Sequence, residues 1–325
     1  MVPQMHNACY IGIDTSNYTT SVAAVSDGGE VLANLKAPLP VKAGERGLRQ
    51  SEAVFAHVKN LPQLMDRLGT AIKGLTPVAV CYSRAPRDEA DSYMPCFLSG
   101  GVAAHALAAS GALPIFTCSH QAGHLMAALY SSGALSPLQG RCFGAFHVSG
   151  GTTDMLEVTL NGAELAITPV GGSVDLHAGQ AVDRVGVALG LPFPCGPHLE
   201  VLAGQNTKKI PRPRLAVEGG ACHLSGLENM ALRLYRETED KPLVAAFVLD
   251  FIARTLSALA SHMRARTPDL PLLFSGGVMS NRIMARELIR ALGGEIYFAE
   301  PAFSADNAAG VALICRARAL ATQND

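Results

Sequence analysis

Residues 10–36 read YIGIDTSNYTTSVAAVSDGGEVLANLK, and this stretch decides the fold because its pattern returns later in the chain. Tyr10–Ile13 is a short apolar run that reads as a buried strand. Asp14–Thr20 is a polar, hydroxyl-rich turn, and Ser21–Val25 is a second apolar run. Asp27-Gly28-Gly29 has the composition of a tight hairpin turn, and Val31–Leu35 follows as a third strand. Residues 142–170, CFGAFHVSGGTTDMLEVTLNGAELAITPV, repeat the scheme. A strand at Cys142–Val148 meets the polar turn Ser149–Asp154; strands Met155–Leu160 and Glu164–Val170 follow, joined at Asn161-Gly162. Two copies of strand, hydroxyl-rich turn and meander predict a duplicated lobe.

Outward from these meanders the pattern turns helical. Val54, Val58, Leu61, Met65 and Leu68 recur at helical spacing within Glu52–Leu68. Helices are also predicted at Ala103–Ser110, Gln121–Tyr130, Asp175–Leu189, Leu243–Ala265, Asn281–Leu292 and Asn307–Ala319, with short strands at Leu272–Phe274 and Ile296–Ala299. The expected domains are residues 1–130 and 131–325, with the last helix able to pack back on the first. Gly204–Gly226, rich in Pro and Gly, reads as an insertion or mobile loop, and Arg84–Pro95 as polar and irregular.

With 325 residues, 49% hydrophobic and 16% charged, the chain can bury a large core. A formal net charge of −1 supplies no overall basic field for nucleic acid. Lys208, Lys209, Arg212 and Arg214 cluster, as do Arg264 and Arg266, and read as an exposed basic loop and a solvated helix end. Eight scattered cysteines without a C-x-x-C pair suit a reducing compartment. Met1–Ala8 lacks the apolar core of a signal peptide. No apolar run was found to approach the roughly 20 residues that span a bilayer, so a cytoplasmic location without a membrane partner is expected.

Glycine-rich turns after strands let backbone N–H groups approach phosphate oxygens. Ser149-Gly150-Gly151-Thr152-Thr153 fits this description, and Asp14-Thr15-Ser16, opening the polar turn to Thr20, is its weaker counterpart. Neither matches a Walker or dinucleotide fingerprint. In Ser275-Gly276-Gly277-Val278-Met279-Ser280-Asn281, Gly276 and Gly277 could let a nucleoside lie against the backbone while Asn281 donates to sugar or base. Taken alone, an ordinary strand–helix turn with Asn281 at the helix start explains the same residues. His120 and His124 lie four apart at a helix start, so both rings leave one face, a spacing that suits one metal ion or an incidental pair. A zincin-type protease is disfavoured because the glutamate of H-E-x-x-H is missing. Asp306, before the last predicted helix, is the best third ligand, with capping as its other reading. Asp175 and Asp183, eight apart and about 80° around a predicted helix, are candidate catalytic carboxylates; solvated charge, and for Asp175 an N-cap, are the alternatives. No Ser-His-Asp or Cys-His arrangement is visible.

Together the motifs resemble the bacterial tRNA threonylcarbamoyladenosine synthase family (TsaD), formerly called glycoproteases. The resemblance lies in Gly12-Ile13-Asp14-Thr15-Ser16, His120-x-x-x-His124, His147-Val148-Ser149-Gly150-Gly151-Thr152-Thr153 and Gly179-x-Ala181-Val182-Asp183-Arg184. It continues through Gly190–Pro197, Ser225-Gly226-Leu227, Ser275-Gly276-Gly277-Val278 with Asn281, and Asp306-Asn307-Ala308, in family order over nearly the whole chain. The resemblance implies the fold shared by actin, sugar kinases and Hsp70, with two ribonuclease-H-like lobes around a nucleotide cleft. It implies a divalent ion, Fe or Zn ahead of Mg for this donor set, on His120, His124 and Asp306. It implies contacts to an adenine nucleotide or acyl-adenylate from His147, Val148, Ser149, Gly150, Gly151, Asp183, Gly196 and Asn281. The implied reaction moves a threonylcarbamoyl group from its adenylate to an adenosine of tRNA. The implied partners are tRNA and either an inactive homologue with a small ATPase or a second copy of the chain.

The chain departs from the family at acidic positions. Tyr18 and Leu176 stand where the family carries acidic residues, and Gly172 and Gln180 where it carries glutamates. Thr152 replaces a histidine and Cys195 a glycine. The alternatives are therefore a carbamoyl transferase with another acceptor, or a non-catalytic nucleotide-binding paralogue acting as scaffold or regulator.

Overall fold

The computed structural model describes residues 7–40 and 48–322. Most of the polar N-terminal stretch, with His6, lies outside them. The chain divides into two compact units. Unit 1 is Met1–Ser131, Asn161–Leu165 and Ala305–Asp325; unit 2 is Ser132–Leu160 and Ala166–Ser304.

Unit 1 carries a five-stranded sheet in the order β3-β2-β1-β4-β5. Its strands are β1 (Ala8–Thr15), β2 (Thr19–Ser26), β3 (Val31–Pro38), β4 (Thr76–Ala85) and β5 (Ile115–Ser119), and its helices are α1 (Gln50–Ala71), α2 (Phe97–Gly111) and α3 (His120–Ser131). β1 runs antiparallel to β2, with Ile13 opposite Val22, and parallel to β4, with Ile13 opposite Tyr82. Every residue of β1 is buried, as expected of a central strand covered on both faces. The C-terminal helix, Ala309–Thr322 (α10 in chain order), lies so close to β1 that a Cβ on Gly12 would sit 2.4 Å from the Ala312 nitrogen. α1 buries Ala53, His57, Leu61, Leu64 and Leu68 at helical spacing; Leu61, Leu64 and Leu68 share a core with Ile11, Ile13, Val22 and Val80, and Ala53 one with Leu39, Cys96 and Phe97. His57 within it is fully buried, its Nδ1 2.8 Å from the Thr20 hydroxyl.

Unit 2 carries a seven-stranded sheet in the order β12-β11-β6-β7-β8-β10-β9. The strands are β6 (Cys142–Val148), β7 (Thr153–Asn161), β8 (Glu164–Ser173), β9 (Val217–Glu218), β10 (Ala221–Cys222), β11 (Leu272–Ser275) and β12 (Ile296–Phe298). β6 is antiparallel to β7 and parallel to β11. The run β12-β11-β6-β7-β8 therefore repeats the strand order β5-β4-β1-β2-β3 of unit 1, which is the duplication the paired meanders predict. The helices are α4 (Ala178–Ala188), α5 (Gly196–Ala203), α6 (Gly226–Thr238), α7 (Lys241–Arg266), α8 (Arg282–Leu292) and α9 (Pro301–Ser304).

Three expectations change. First, α7 is long and apolar enough to cross a bilayer, contrary to the reading that no such run exists. Yet 83% of its most apolar stretch is buried inside the protein, which makes it the core helix of unit 2. Second, Asp175 is not on a helix with Asp183, because α4 begins only at Ala178. Third, the segment read as an insertion holds the β9–β10 ladder, and β10 joins the sheet beside β8. The basic loop Lys208–Arg214 is exposed, as expected, and the basic clusters also bond within their own unit. Lys208 pairs with Asp240 and Arg212 with Asp250, each at 2.7 Å, and Arg264 donates to the carbonyls of Leu270, Leu292 and Gly293.

Candidate functional site

In unit 1, β5 ends at Ser119 and α3 begins at His120, so the strand delivers the first histidine and one helical turn delivers the second. Asp306 arrives from the loop before α10. At the start of that helix the Asn307 side chain accepts from the Ala309 N–H, at 3.1 Å. The ligand atoms of His120, His124 and Asp306 all lie within 4.8 Å of one another. The two Nε2 atoms are 3.0 Å apart, and Oδ1 of Asp306 is 3.2 Å from His124 Nε2 and 3.7 Å from His120 Nε2. Ring nitrogens this close either share one proton or face one cation. The spacing and donor types fit a single ion held at about 2.1 Å by each donor.

The electrostatics follow from two carboxylates, Asp14 buried and Asp306 partly so. Burial alone would lower the His120 pKa, but the Asp14 carboxylate against its ring, with Asp306 beyond, outweighs burial and raises it to about 9. For Asp306, burial raises the pKa, while the hydrogen bond to His124 and the two imidazoles more than compensate and hold it far below the usual carboxylate range. The residues at the end of β1 bond within unit 1. Thr15 donates to the Cys96 carbonyl and accepts from the Gly100 N–H, each at 3.0 Å. Asp14 reaches His120 Nδ1 at 2.9 Å, and the Ser16 hydroxyl donates to Asp306 Oδ2 at 2.9 Å.

In unit 2, a cavity of about 440 Å³ is lined by Gly150, Asp183, Gly196, Gly277 and Asn281, all named from the sequence, and also by Val182, Pro194, Glu200, Leu249 and Met284. Asp183 is half-buried. Desolvation raises its pKa against the lowering effect of the Cys195 N–H, which donates to Oδ1 at 2.9 Å. Asn281 caps α8: Oδ1 accepts from the N–H groups of Ile283 and Met284, both at 3.0 Å, leaving Nδ2 as its donor for the cavity. A Cβ at Gly150, Gly196 or Gly277 would meet no protein atom within 4 Å. These three glycines are therefore open space on the cavity wall. Cys195, where the family has glycine, does not line the cavity; it is buried, and a Cβ on Gly186 would sit 2.2 Å from its Cβ.

The remaining predicted residues lie elsewhere. His147 and Val148 sit within β6. Gly276, at φ +95°, packs on it so tightly that a Cβ would approach the Val148 carbonyl to 2.3 Å. The Ser149 hydroxyl accepts from the N–H groups of Gly151 and Thr152 and pairs with the Thr152 hydroxyl, so the glycine-rich turn closes partly on itself. Asp175 accepts from the N–H groups of Leu176, Leu224 and Ser225 and from the Ser225 hydroxyl, tying the approach to α4 to the approach to α6. Burial would raise its pKa, but these donors outweigh it and depress the pKa strongly. Sequence reasoning missed Glu200, which lines the cavity and also accepts from the Arg282 N–H at 2.7 Å. Its signal was the helical i+4 relation to Gly196.

Component A of (R)-2-hydroxyglutaryl-CoA dehydratase from Acidaminococcus fermentans is similar over 96% of this chain and 99% of its own, at 15% identity and TM-score 0.56. The ROK hexokinase of Thermus thermophilus is similar over 98% and 100%, at 14% identity and TM-score 0.54. HypF of T. kodakarensis matches 98% of this chain with 48% of its own length, at 13% identity and TM-score 0.62. At such identities the likeness concerns the fold: the actin-like, Hsp70-like architecture of two ribonuclease-H-like lobes. Residues 42–313 match the family model of TsaD, described as tRNA N6-adenosine threonylcarbamoyltransferase. That span is most of the sequence and takes in the histidine pair, Asp183, Asn281 and Asp306, so the chain belongs to the TsaD family.

Proposed function

We propose that the protein carries out metal-dependent transfer of a carbamoyl-type group, threonylcarbamoyl as in its family, from an adenylate to an adenosine of tRNA. The observation that carries this reading is the convergence of His120, His124 and Asp306 in a chain whose other unit holds a nucleoside-sized cavity. An ion on that trio, Fe or Zn by donor type, would act as a Lewis acid on the carbamoyl oxygen. The cavity residues bind and orient. Val182, Pro194, Leu249 and Met284 offer an apolar wall for a purine, Asp183 and Glu200 accept from ribose hydroxyls, and Asn281 Nδ2 donates. Gly150 and Gly277 leave room for phosphate against backbone N–H groups, where the leaving adenylate is stabilised. In this reading Asp175 is a loop clasp outside the reacting groups.

The test incubates the full chain with tRNA, threonylcarbamoyl-adenylate and the protein partners of an authentic family member, followed by mass spectrometry of the nucleosides. Threonylcarbamoyladenosine is the expected product. Its absence under conditions where the authentic member works defeats the tRNA version. Native mass spectrometry of protein from its own host would identify partners, whether the inactive homologue and small ATPase or a second copy.

One observation favours the second reading, a nucleotide-binding paralogue without transfer activity. At Gly172, where the family has glutamate, φ is +141° and a Cβ would sit 2.2 Å from the Thr153 carbonyl. The acidic group has not merely been lost there; the backbone has closed over its place. Tight adenosine binding with no turnover of an acyl-adenylate would select this reading.

A further inference from the structure

Two side chains at the end of β1 have no part in the proposed chemistry, and their geometry is hard to explain as packing. Asp14 is fully buried. Its Oδ1 meets His120 Nδ1 at 2.9 Å and takes the Ser83 hydroxyl, while Oδ2 is buried with no hydrogen-bond partner. A core strand that needed only packing would not keep such a group, because burying a carboxylate with an unsatisfied oxygen costs several kcal/mol. Two residues on, Ser16 donates to Asp306 Oδ2 at 2.9 Å, leaving Oδ1 facing the histidines. Asp14 lies in the last two residues of β1, and Ser16 is the first residue after it. Both reach the trio, while Thr15 between them turns to Cys96 and Gly100.

We propose that Asp14 and Ser16 are positioning residues that preset the trio for an ion. Asp14 accepts the proton on His120 Nδ1, which fixes the tautomer that leaves Nε2 as a lone-pair donor toward His124 and Asp306. Ser16 holds Asp306 so that Oδ1, and not Oδ2, is the oxygen offered. Outer-shell partners of this kind orient ligands and raise their basicity. Asp14 adds a second negative charge behind the trio, which with Asp306 balances a divalent cation. The turn that resembles a phosphate loop in the sequence thereby serves the metal ligands.

The inference rests on the metal reading above, and the experiment separates the two. Wild-type, Asp14→Asn, Ser16→Ala and His120→Ala proteins, all full chain, are stripped and titrated with Zn²⁺ against a chromogenic chelator. They are then loaded with Co²⁺ for visible absorption spectra, and the melting of each stripped protein is recorded. Asp14→Asn should bind Zn²⁺ roughly 10- to 100-fold more weakly with an altered Co²⁺ band, while the stripped variant, at whatever temperature the loss of the His120 pair sets, still melts in one cooperative transition. Ser16→Ala should lose roughly 3- to 10-fold. Wild-type affinity and spectra in both variants would overturn this inference and leave the metal reading standing. So would a loss of affinity in Asp14→Asn accompanied by loss of the cooperative melt, which would make the effect one of folding. A wild-type protein that binds no ion dependent on His120 would overturn the metal reading, and this inference with it.

Discussion

The trio in unit 1 and the cavity in unit 2 are built by opposite means. The trio is made of side chains, with two imidazoles and a carboxylate held by other side chains from β1 and the residue after it. The cavity is made largely of missing side chains, with three glycines whose Cβ positions are empty and polar groups partly committed to the backbone. A side-chain site fails when one atom is removed; a glycine-walled site fails when one atom is added. The predictions below press on that difference, from the largest expected effect to the smallest.

The largest concerns the trio. Because three donors share one point, His120→Ala should lose most bound metal, and elemental analysis against the wild type checks it. Unchanged metal content would remove the reading. The same substitution should leave adenosine binding to the cavity intact if the two sites are built independently, as isothermal titration would show.

Next come two neighbouring glycines. Ala at Gly276 forces an L-residue to φ +95° and drives a Cβ into the Val148 carbonyl. Backbone strain of about 1–3 kcal/mol and overpacking of about 1–3 kcal/mol should both appear as lost stability in urea unfolding. Ala at Gly277 meets nothing in the protein and should change stability by less than about 0.5 kcal/mol, while weakening adenosine binding because it fills the cavity wall. A stable Gly276→Ala, or a Gly277→Ala that binds like the wild type, would break the distinction between glycines kept for packing and glycines kept for space.

This contrast also explains what was legible in the sequence. The histidine pair is local: one helical turn separates its members, so spacing alone proposes it. The paired meanders are local too, which is why the duplication could be read from residues 10–36 and 142–170. Asp306 lies far along the chain from the pair, and only the resemblance to a family singled it out with assurance. The cavity draws on α4, α5, α7 and α8 at once. Val182 entered only as part of a family motif, Leu249 and Met284 carry no signal beyond apolar positions within predicted helices, and Glu200 sits on a helix hidden behind Gly196-Pro197. Asp14 and Ser16 were read as part of a turn that approaches phosphate, because a hydroxyl-rich turn after a strand has the same composition whether it serves a phosphate or, as proposed above, a metal ligand. Gly172 shows the reverse limit: the lost glutamate was visible, but the closed backbone behind it was not.

A smaller effect tests whether polar groups in unit 2 serve the fold. The strongly depressed pKa of Asp175 means that its charged form is stabilised on folding. Its contribution is therefore present above its ordinary value of 3.8 and is lost as pH falls below that. Asp175→Asn should cost about 1–3 kcal/mol at neutral pH and flatten the acid limb of the stability curve between pH 5 and about 3. If activity disappears while stability and its pH dependence are unchanged, Asp175 is a reacting group and not a clasp.

The smallest effect is the sharpest, because Asn281 belongs to both kinds of construction. Its Oδ1 caps α8 through two backbone N–H groups, and its Nδ2 is left for the cavity. Asn281→Ala removes both functions and should cost about 1 kcal/mol of stability together with adenosine affinity. Asn281→Asp separates them. Aspartate caps as well as asparagine and its charge suits a helix N-terminus, so stability should stay near wild type. Yet the Nδ2 donor is gone and a negative charge stands in its place, so adenosine affinity should fall as far as in the alanine variant, or further. If Asn281→Asp keeps both stability and affinity, Asn281 serves the helix alone, and the cavity's recognition rests on Asp183, Glu200 and the empty glycine positions.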